Sequence, residues 1–206
     1  LVEYLTSAKS QLVLHLFKLI IMLSDFLQPV NNHLLEEFYT PNKYATDYIH
    51  LYQQTKTLEG YSVALLGVED YRGYIVNKGT EKSADEVRKQ LYQCAAFTNG
   101  MQLLDLGNIK AGATYVDTLV AVVETLHELF KHNVITIIIG GDTALSSAQF
   151  KAYEIFENQI TVAQIASKVV WDNSDVDIHK TYLKDFFLSS FLRKYNLVAY
   201  QSYFIQ

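Results

Sequence analysis

Proline, cysteine and surplus positive charge are the scarce ingredients of this chain. Two prolines in 206 residues, beside a composition that is half hydrophobic, exclude a disordered chain or an array of linkers. The single cysteine, Cys94, cannot close an internal disulfide. It lies in a helical pattern with Leu91 and Ala95 and is expected to be a buried structural thiol in a protein of the reducing cytoplasm. Lysine and arginine are scattered and the formal net charge is -5, so a basic nucleic-acid footprint is absent. The acidic residues are equally dispersed, which excludes an acidic tail.

Familiar chemical motifs are also missing. There is no GxxxxGK[ST] loop and no GxGxxG following a strand, so nucleotide-binding fingerprints fail. No GxSxG elbow offers an α/β-hydrolase nucleophile. His127 and His132 are five residues apart in one helix, a spacing that does not put both on one face. His127–Glu128 lacks a second histidine four residues on, and is expected on a solvated helix face. His15, His33, His50 and His179 are isolated. Asp172, Asp175 and Asp177 (WDNSDVDIH) lack the central glycine and final glutamate of a calcium loop, and a solvated acidic loop is expected there.

The apolar run Gln11–Leu23 (QLVLHLFKLIIML) is interrupted by His15 and Lys18. It falls short of the roughly 20 apolar residues of a membrane span. Lys9 is a weak basic start for a signal peptide, and Asp25 follows closely without a convincing cleavage site. An amphipathic or buried helix remains open. The favoured reading makes Met22 the natural start, residues 1–21 an upstream extension, and residues 22–206 one domain.

What is present is a run of buried-strand type ending in a glycine turn. Val134–Ile139 is apolar and β-branched without alternation, as in a strand buried on both faces of a parallel sheet. It stops at Gly140-Gly141-Asp142, and a helix is expected at once over Ala144–Glu157. Such a turn sits at the carboxyl edge of an open α/β sheet, where ligands bind. Glycine lets the backbone turn sharply, and Asp142 can cap the helix or coordinate a ligand.

Around that strand, helix and loop are expected from Val30 to Gly60. Tyr44, Tyr48 and Tyr52 mark a helical face within Lys43–Gln53. Strands follow at Tyr61–Val68 and Met101–Asn108. Helices are expected at Ser83–Ala95, with Ser83 as N-cap and Glu86 in capping-box position, and at Val116–His132, with Leu119, Val122, Val123, Leu126, Leu129 and Phe130 on one side. Ile160–Trp171 is a further strand, Lys180–Tyr195 a helix and Leu197–Ile205 a last strand. Strands separated by helices predict a mainly parallel sheet sandwiched by helices, the α/β class.

The order of several short pieces resembles the arginase/ureohydrolase superfamily. They are MLSDFLQPV from Met22, GVEDYRGYIVNKGT at Gly67–Thr80, DEVRKQLY at Asp85–Tyr92 and LLDLGNI at Leu103–Ile109. IIIGGD at Ile137–Asp142, QFKAYE at Gln149–Glu154 and YQSYFIQ at Tyr200–Gln206 complete the set. Together they are similar to the formimidoylglutamase-like proteins of bacteria such as the Bacteroidetes. The resemblance implies a three-layer α/β/α sandwich. It also implies hydrolysis of guanidino or formimino C–N bonds by two manganese ions, which favour carboxylate and imidazole ligands and generate a nucleophile at neutral pH.

The ligands that the resemblance implies are replaced. The histidine of its GGDH motif falls on Thr143. Its DAHxD motif falls on Ala166–Val170, with Ala166 and Val170 at the carboxylates and Lys168 at the histidine. A later DxD strand does not occur before Gln206. Alanine and valine have no donor atoms, and an ammonium repels a divalent cation. No manganese or other cofactor is therefore expected. A non-catalytic arginase-fold protein, acting by binding or as a structural pseudoenzyme, is expected, the alternative being a manganese-dependent formimidoylglutamase-like hydrolase. Asp142, Thr143 and Lys168 are the pocket candidates. Lys168 is expected to pair with Asp142 or to receive a small anionic ligand. The chain is expected to be truncated at its carboxyl end, or else to self-associate through an apolar edge. Neither a nucleic acid nor a membrane is an expected partner.

Overall fold

A computed structural model of the chain describes residues 23–39, 44–72, 82–94, 101–141, 144–166, 183–184 and 186–199. Two compact units divide it. One comprises Leu1–Glu69, Lys82–Ala111 and Glu128–Gly140, and the other Asp70–Glu81, Gly112–His127 and Gly141–Gln206.

The first unit carries the larger sheet. In chain order come β1 (Leu27–Gln28), α1 (Asn32–Phe38), β2 (Ile49–Leu51), the single turn α2 (Tyr52–Thr55), β3 (Val63–Val68), α3 (Ser83–Tyr92) and β4 (Leu103–Ile109). The helix α4 (Tyr115–Lys131), most of which belongs to the second unit, then leads to β5 (Ile135–Ile139). β4 is central. β3 runs parallel along one edge, and the other edge is shared by β2, parallel at Leu103–Asp105, and β1, antiparallel at Asn108–Ile109. β5 pairs in parallel with β3, from Val63↔Ile135 to Gly67↔Ile139. Every residue of β4 is buried, as befits a strand flanked on both edges and covered on both faces. Val30, Leu34, Ile49, Leu51, Leu65, Tyr92 and Leu103 form the core beneath it.

α3 is held by one buried stripe, Ala84, Arg88 and Tyr92, which the helical repeat places one above another. α1 starts at Asn31, whose side chain accepts from the His33 N–H at 3.0 Å, satisfying an otherwise orphaned donor. α4 opens with a reciprocal cap. The Asp117 N–H donates to Thr114 Oγ1 at 3.2 Å, and the Thr114 N–H donates back to Asp117 Oδ2 at 2.8 Å.

In the second unit α5 (Leu145–Ile155) precedes a parallel pair, β6 (Ile160–Ile165) and β7 (Leu192–Val198). Phe150, Leu183 and Phe186 form its core, with the two phenyl rings stacked at 4.5 Å. The class is α/β with a mainly parallel sheet, as expected from the alternation of strands and helices. Among the described residues no helix is long and apolar enough to cross a membrane.

Several local expectations are overturned. The tyrosine-marked helix at Lys43–Gln53 is instead a 3-10 turn (Tyr44–Asp47), β2 and the turn α2. Pairing of Ile49–Leu51 with β4 outweighs the four-residue tyrosine period. Ser83 makes no capping box: Lys82 occupies the cap position without a side-chain bond, and Glu86 pairs with Lys89 at 2.6 Å. The predicted Lys180–Tyr195 helix stops by Leu188, and β7 starts at Leu192, ahead of the Leu197 expected for the last strand. Ser189 marks the break, its Oγ accepting from the Phe191 N–H at 3.2 Å. Cys94 is exposed, beyond the end of α3, so it is no core thiol. Glu128 is buried and paired with Lys131 at 3.1 Å rather than solvated. The extension over residues 1–21, the acidic loop Asp172–Asp177 and the final Tyr200–Gln206 lie outside the described residues.

Candidate functional site

Because β3, β4 and β5 are parallel, with one register shift between β3 and β4 at Leu65–Gly67, their carboxyl ends line one edge of the sheet. That edge is strongly polar. Arg88, fully buried on α3, reaches across to β4 and spends most of its donors there. Nε and Nη2 clamp Asp105 at 2.9 and 3.0 Å. Nη1 donates to Asn108 Oδ1 at 2.6 Å and Asp85 Oδ1 at 3.3 Å, and Nη2 also donates to the Gly107 carbonyl at 2.8 Å. The Tyr92 hydroxyl adds a 2.8 Å bond to Asp105 Oδ2. Burial alone would lower the Arg88 pKa, but the charge and hydrogen bonds of Asp105 override it and the pKa is raised. Burial and the neighbouring Asp105 raise the Tyr92 phenol as well. A network so completely satisfied fixes the helix to the strand and leaves no free group for chemistry.

Glu69 stands directly after β3. A backbone hydrogen bond from Asp85 favours its charged form, and Lys82, at the cap position of α3, makes no side-chain cap bond. Glu69 Oε1 and Ser83 Oγ are both buried without a hydrogen-bond partner. Burial first, and the Asp85 charge second, raise the Glu69 pKa. Gly140, at the end of β5, has φ +95°, and a Cβ there would stand 2.6 Å from both Ser83 Oγ and the Val68 carbonyl. Only glycine fits that position, for packing as much as for the turn.

Within the second unit Asp70 and Arg72 form a separate clamp. The Arg72 fork holds both Asp70 oxygens at 2.9 and 2.7 Å and reaches the carbonyls of Gly112 and Ala113 at 2.7 and 3.0 Å. The buried Thr118 hydroxyl donates to Asp70 Oδ2 at 2.6 Å and accepts the Gly112 N–H at 2.8 Å. Burial would raise the Asp70 pKa, but the bonds from Arg72 and Thr118 leave it lowered. The clamp secures the start of α4.

Of the pocket candidates, Asp142, Thr143 and Lys168 lie outside the described residues, as does Val170. Ala166 is described. It follows β6, half-buried, its N–H donating to the Val198 carbonyl at 3.2 Å, and its methyl group offers no ligand atom. Among the described residues no group of three or more His, Cys, Asp or Glu side chains could hold a metal ion. Arg88, Asp105, Glu69 and Arg72 were not singled out from the sequence. The usable signal was a lone arginine in the apolar stripe of a helix, facing the lone carboxylate of an otherwise apolar strand.

No family model and no curated protein matches the chain. Solved structures do. The formimidoylglutamase of Bacillus subtilis matches with a TM-score of 0.64 at 20% identity, over 78% of this chain and 54% of its own. The fold is arginase-like. The Trypanosoma cruzi formiminoglutamase, solved with manganese, matches with a TM-score of 0.62 at 17% identity over 82% of this chain and 58% of its own. The proclavaminate amidino hydrolase of Streptomyces clavuligerus matches with a TM-score of 0.54 at 17% identity over 65% and 49%. At such identities the likeness establishes the arginase-like fold, and the chain spans about half the length of each of these proteins.

Proposed function

We propose that this chain is a non-catalytic arginase-fold protein, cytoplasmic, working by binding or as a structural pseudoenzyme. The observation that carries the proposal is the loss of donors where the arginase-type manganese ligands fall. Thr143, Ala166, Lys168 and Val170 stand there, and Ile160–Trp171 contains no Asp, Glu, His or Cys. A dinuclear site needs several anionic or imidazole donors converging on two cations. Asp142 is the one carboxylate left at these positions, and Lys168 brings a positive charge. The residues do not fit manganese, and no hydrolytic step is assigned to them.

The second reading is a manganese-dependent hydrolase of C–N bonds in guanidino or formimino compounds. It is favoured by the solved structures that share the fold, among them a formimidoylglutamase and an amidino hydrolase. One experiment separates the two. Chain purified from manganese-supplemented cells is analysed for bound metal and assayed on formimidoylglutamate, arginine and agmatine. The pseudoenzyme reading expects substoichiometric metal and no turnover above the buffer rate. Stoichiometric manganese with turnover of any of the three would establish the hydrolase instead.

A further inference from the structure

The two sides of the larger sheet differ. On one, Ile135 and Ile137 of β5 are exposed, which corrects the expectation of a strand buried on both faces. On the other, β1, α2 and the carboxyl end of β4 line a cavity of about 370 Å³. All of its lining residues belong to the first unit, and β4 and β3 lie between β1 and β5. Leu27, Pro29 and Leu106 give it apolar walls. Cross-ties fix its shape. Gln53 Oε1 accepts the Val30 N–H at 3.0 Å, joining α2 to the segment after β1. Lys110 Nζ donates to the Ser24 and Asp25 carbonyls at 3.2 and 3.1 Å, joining the end of β4 to the segment before β1.

Three side chains lining the cavity carry unspent polar capacity. Tyr52 is 6% exposed, and its hydroxyl is buried with no hydrogen-bond partner, an arrangement that costs stability until a partner arrives. Burial also raises its pKa, so the phenol keeps its proton and can donate. The Lys56 ammonium forms no ion pair among the described residues, and Lys110 has only neutral carbonyls for partners. Lys56 moreover holds φ +51° at the C-cap of α2, a position where glycine or asparagine is usual. Two uncompensated cations and an orphan donor beside apolar walls form the complement of an anion with a hydrocarbon body. We propose that this cavity binds a small amphipathic carboxylate, its hydrocarbon body against Leu27, Pro29 and Leu106 and its oxygens held by Lys56, Lys110 and the Tyr52 hydroxyl. The site uses none of the positions where metal ligands are replaced, so it stands apart from either reading of the fold's activity.

The test is calorimetric titration of the full chain with octanoate, beside 1-octanol, octylammonium and acetate. Octanoate is expected to bind saturably at one site per chain, and the other three much more weakly. Lys56→Gly suits the left-handed backbone, so it is expected to melt no lower than the parent. It is nevertheless expected to weaken octanoate about tenfold, the scale of one lost charge-assisted contact. Lys56→Gln serves in its place should the glycine variant fold poorly. Tyr52→Phe deletes the orphan hydroxyl and is likewise expected to melt no lower while weakening octanoate several-fold. Glu157→Gly, which relieves the same kind of backbone (φ +55°) in the second unit, is expected to leave octanoate affinity unchanged. The proposal is overturned by a parent that shows no saturable octanoate binding, or that takes octanol or octylammonium as tightly. Octanoate affinity left intact by the Lys56 variant or by Tyr52→Phe, or reduced by Glu157→Gly, overturns it as well.

Discussion

Glu69 and Asp70 are neighbours in sequence whose carboxyls are pushed in opposite directions. For Glu69, burial and the Asp85 charge raise the pKa above its ordinary 4.5. The native chain therefore holds that proton more tightly than the unfolded chain, and this contribution to stability falls as pH rises from the ordinary value through the native one. Glu69→Gln keeps an oxygen for the Asp85 N–H and removes the charge. It is expected to melt a few degrees higher than the parent at neutral pH and to show no advantage in acid. For Asp70 the bonds from Arg72 and Thr118 outweigh burial and lower the pKa below its ordinary 3.8. That stability is present above the ordinary value and lost as pH falls through the native one. Asp70→Asn is expected to melt earlier than the parent at neutral pH, the gap closing in strong acid. Thermal unfolding of both variants across the acid range checks the two signs together. Equal behaviour at every pH would refute the environments assigned to them.

At the scale of elements, the junction of α3 with β3 and β4 depends on a missing side chain. A Cβ on Gly67 would stand 1.9 Å from Asn108 Oδ1 and 2.8 Å from the Ala84 Cβ. The same Asn108 oxygen accepts from Arg88 at 2.6 Å, so the clash reaches the buried network. Gly67→Ala is expected to cost about 1 to 3 kcal/mol, as overpacking commonly does, read as a lower urea midpoint with an unchanged slope. A neutral result would mean that helix and strand are less closely apposed. Such contacts are what the sequence conceals. The strands at Val63–Val68 and Leu103–Ile109, and the helix α4, were legible because apolar runs and helical periods are local signals. Lys43–Gln53 misled because its tyrosine period is local too, while pairing with β4 is not. Likewise the helix assigned through Ser189 ignored a serine that caps a turn. Of the site, the Gly140 turn was legible from its glycines. The Arg88 network was not, because its members lie on different elements and no spacing links them.

At the scale of the whole molecule, the proposed non-catalytic reading turns on the balance of charge at the positions where the arginase resemblance would put metal ligands. The arginase-type pattern gathers anionic and imidazole donors to offset two divalent cations. Here Asp142 contributes one negative charge and Lys168, three residues past the end of β6, one positive. Those two charges can cancel each other with no cation present. A lysine without a carboxylate partner would instead call for a small anionic ligand, a carboxylate or a phosphate. The paired arrangement is proposed, because removing a cation from a carboxylate that depends on it leaves that group uncompensated. Lys168→Met is therefore expected to lower stability by about 1 to 3 kcal/mol. Neither manganese, glutamate nor inorganic phosphate is expected to raise the melting temperature of the parent. A ligand that binds only the native state must raise it. Protection of the parent by glutamate or phosphate that vanishes in Lys168→Met would replace the internal pair with an anion site, and protection by manganese would restore the metal.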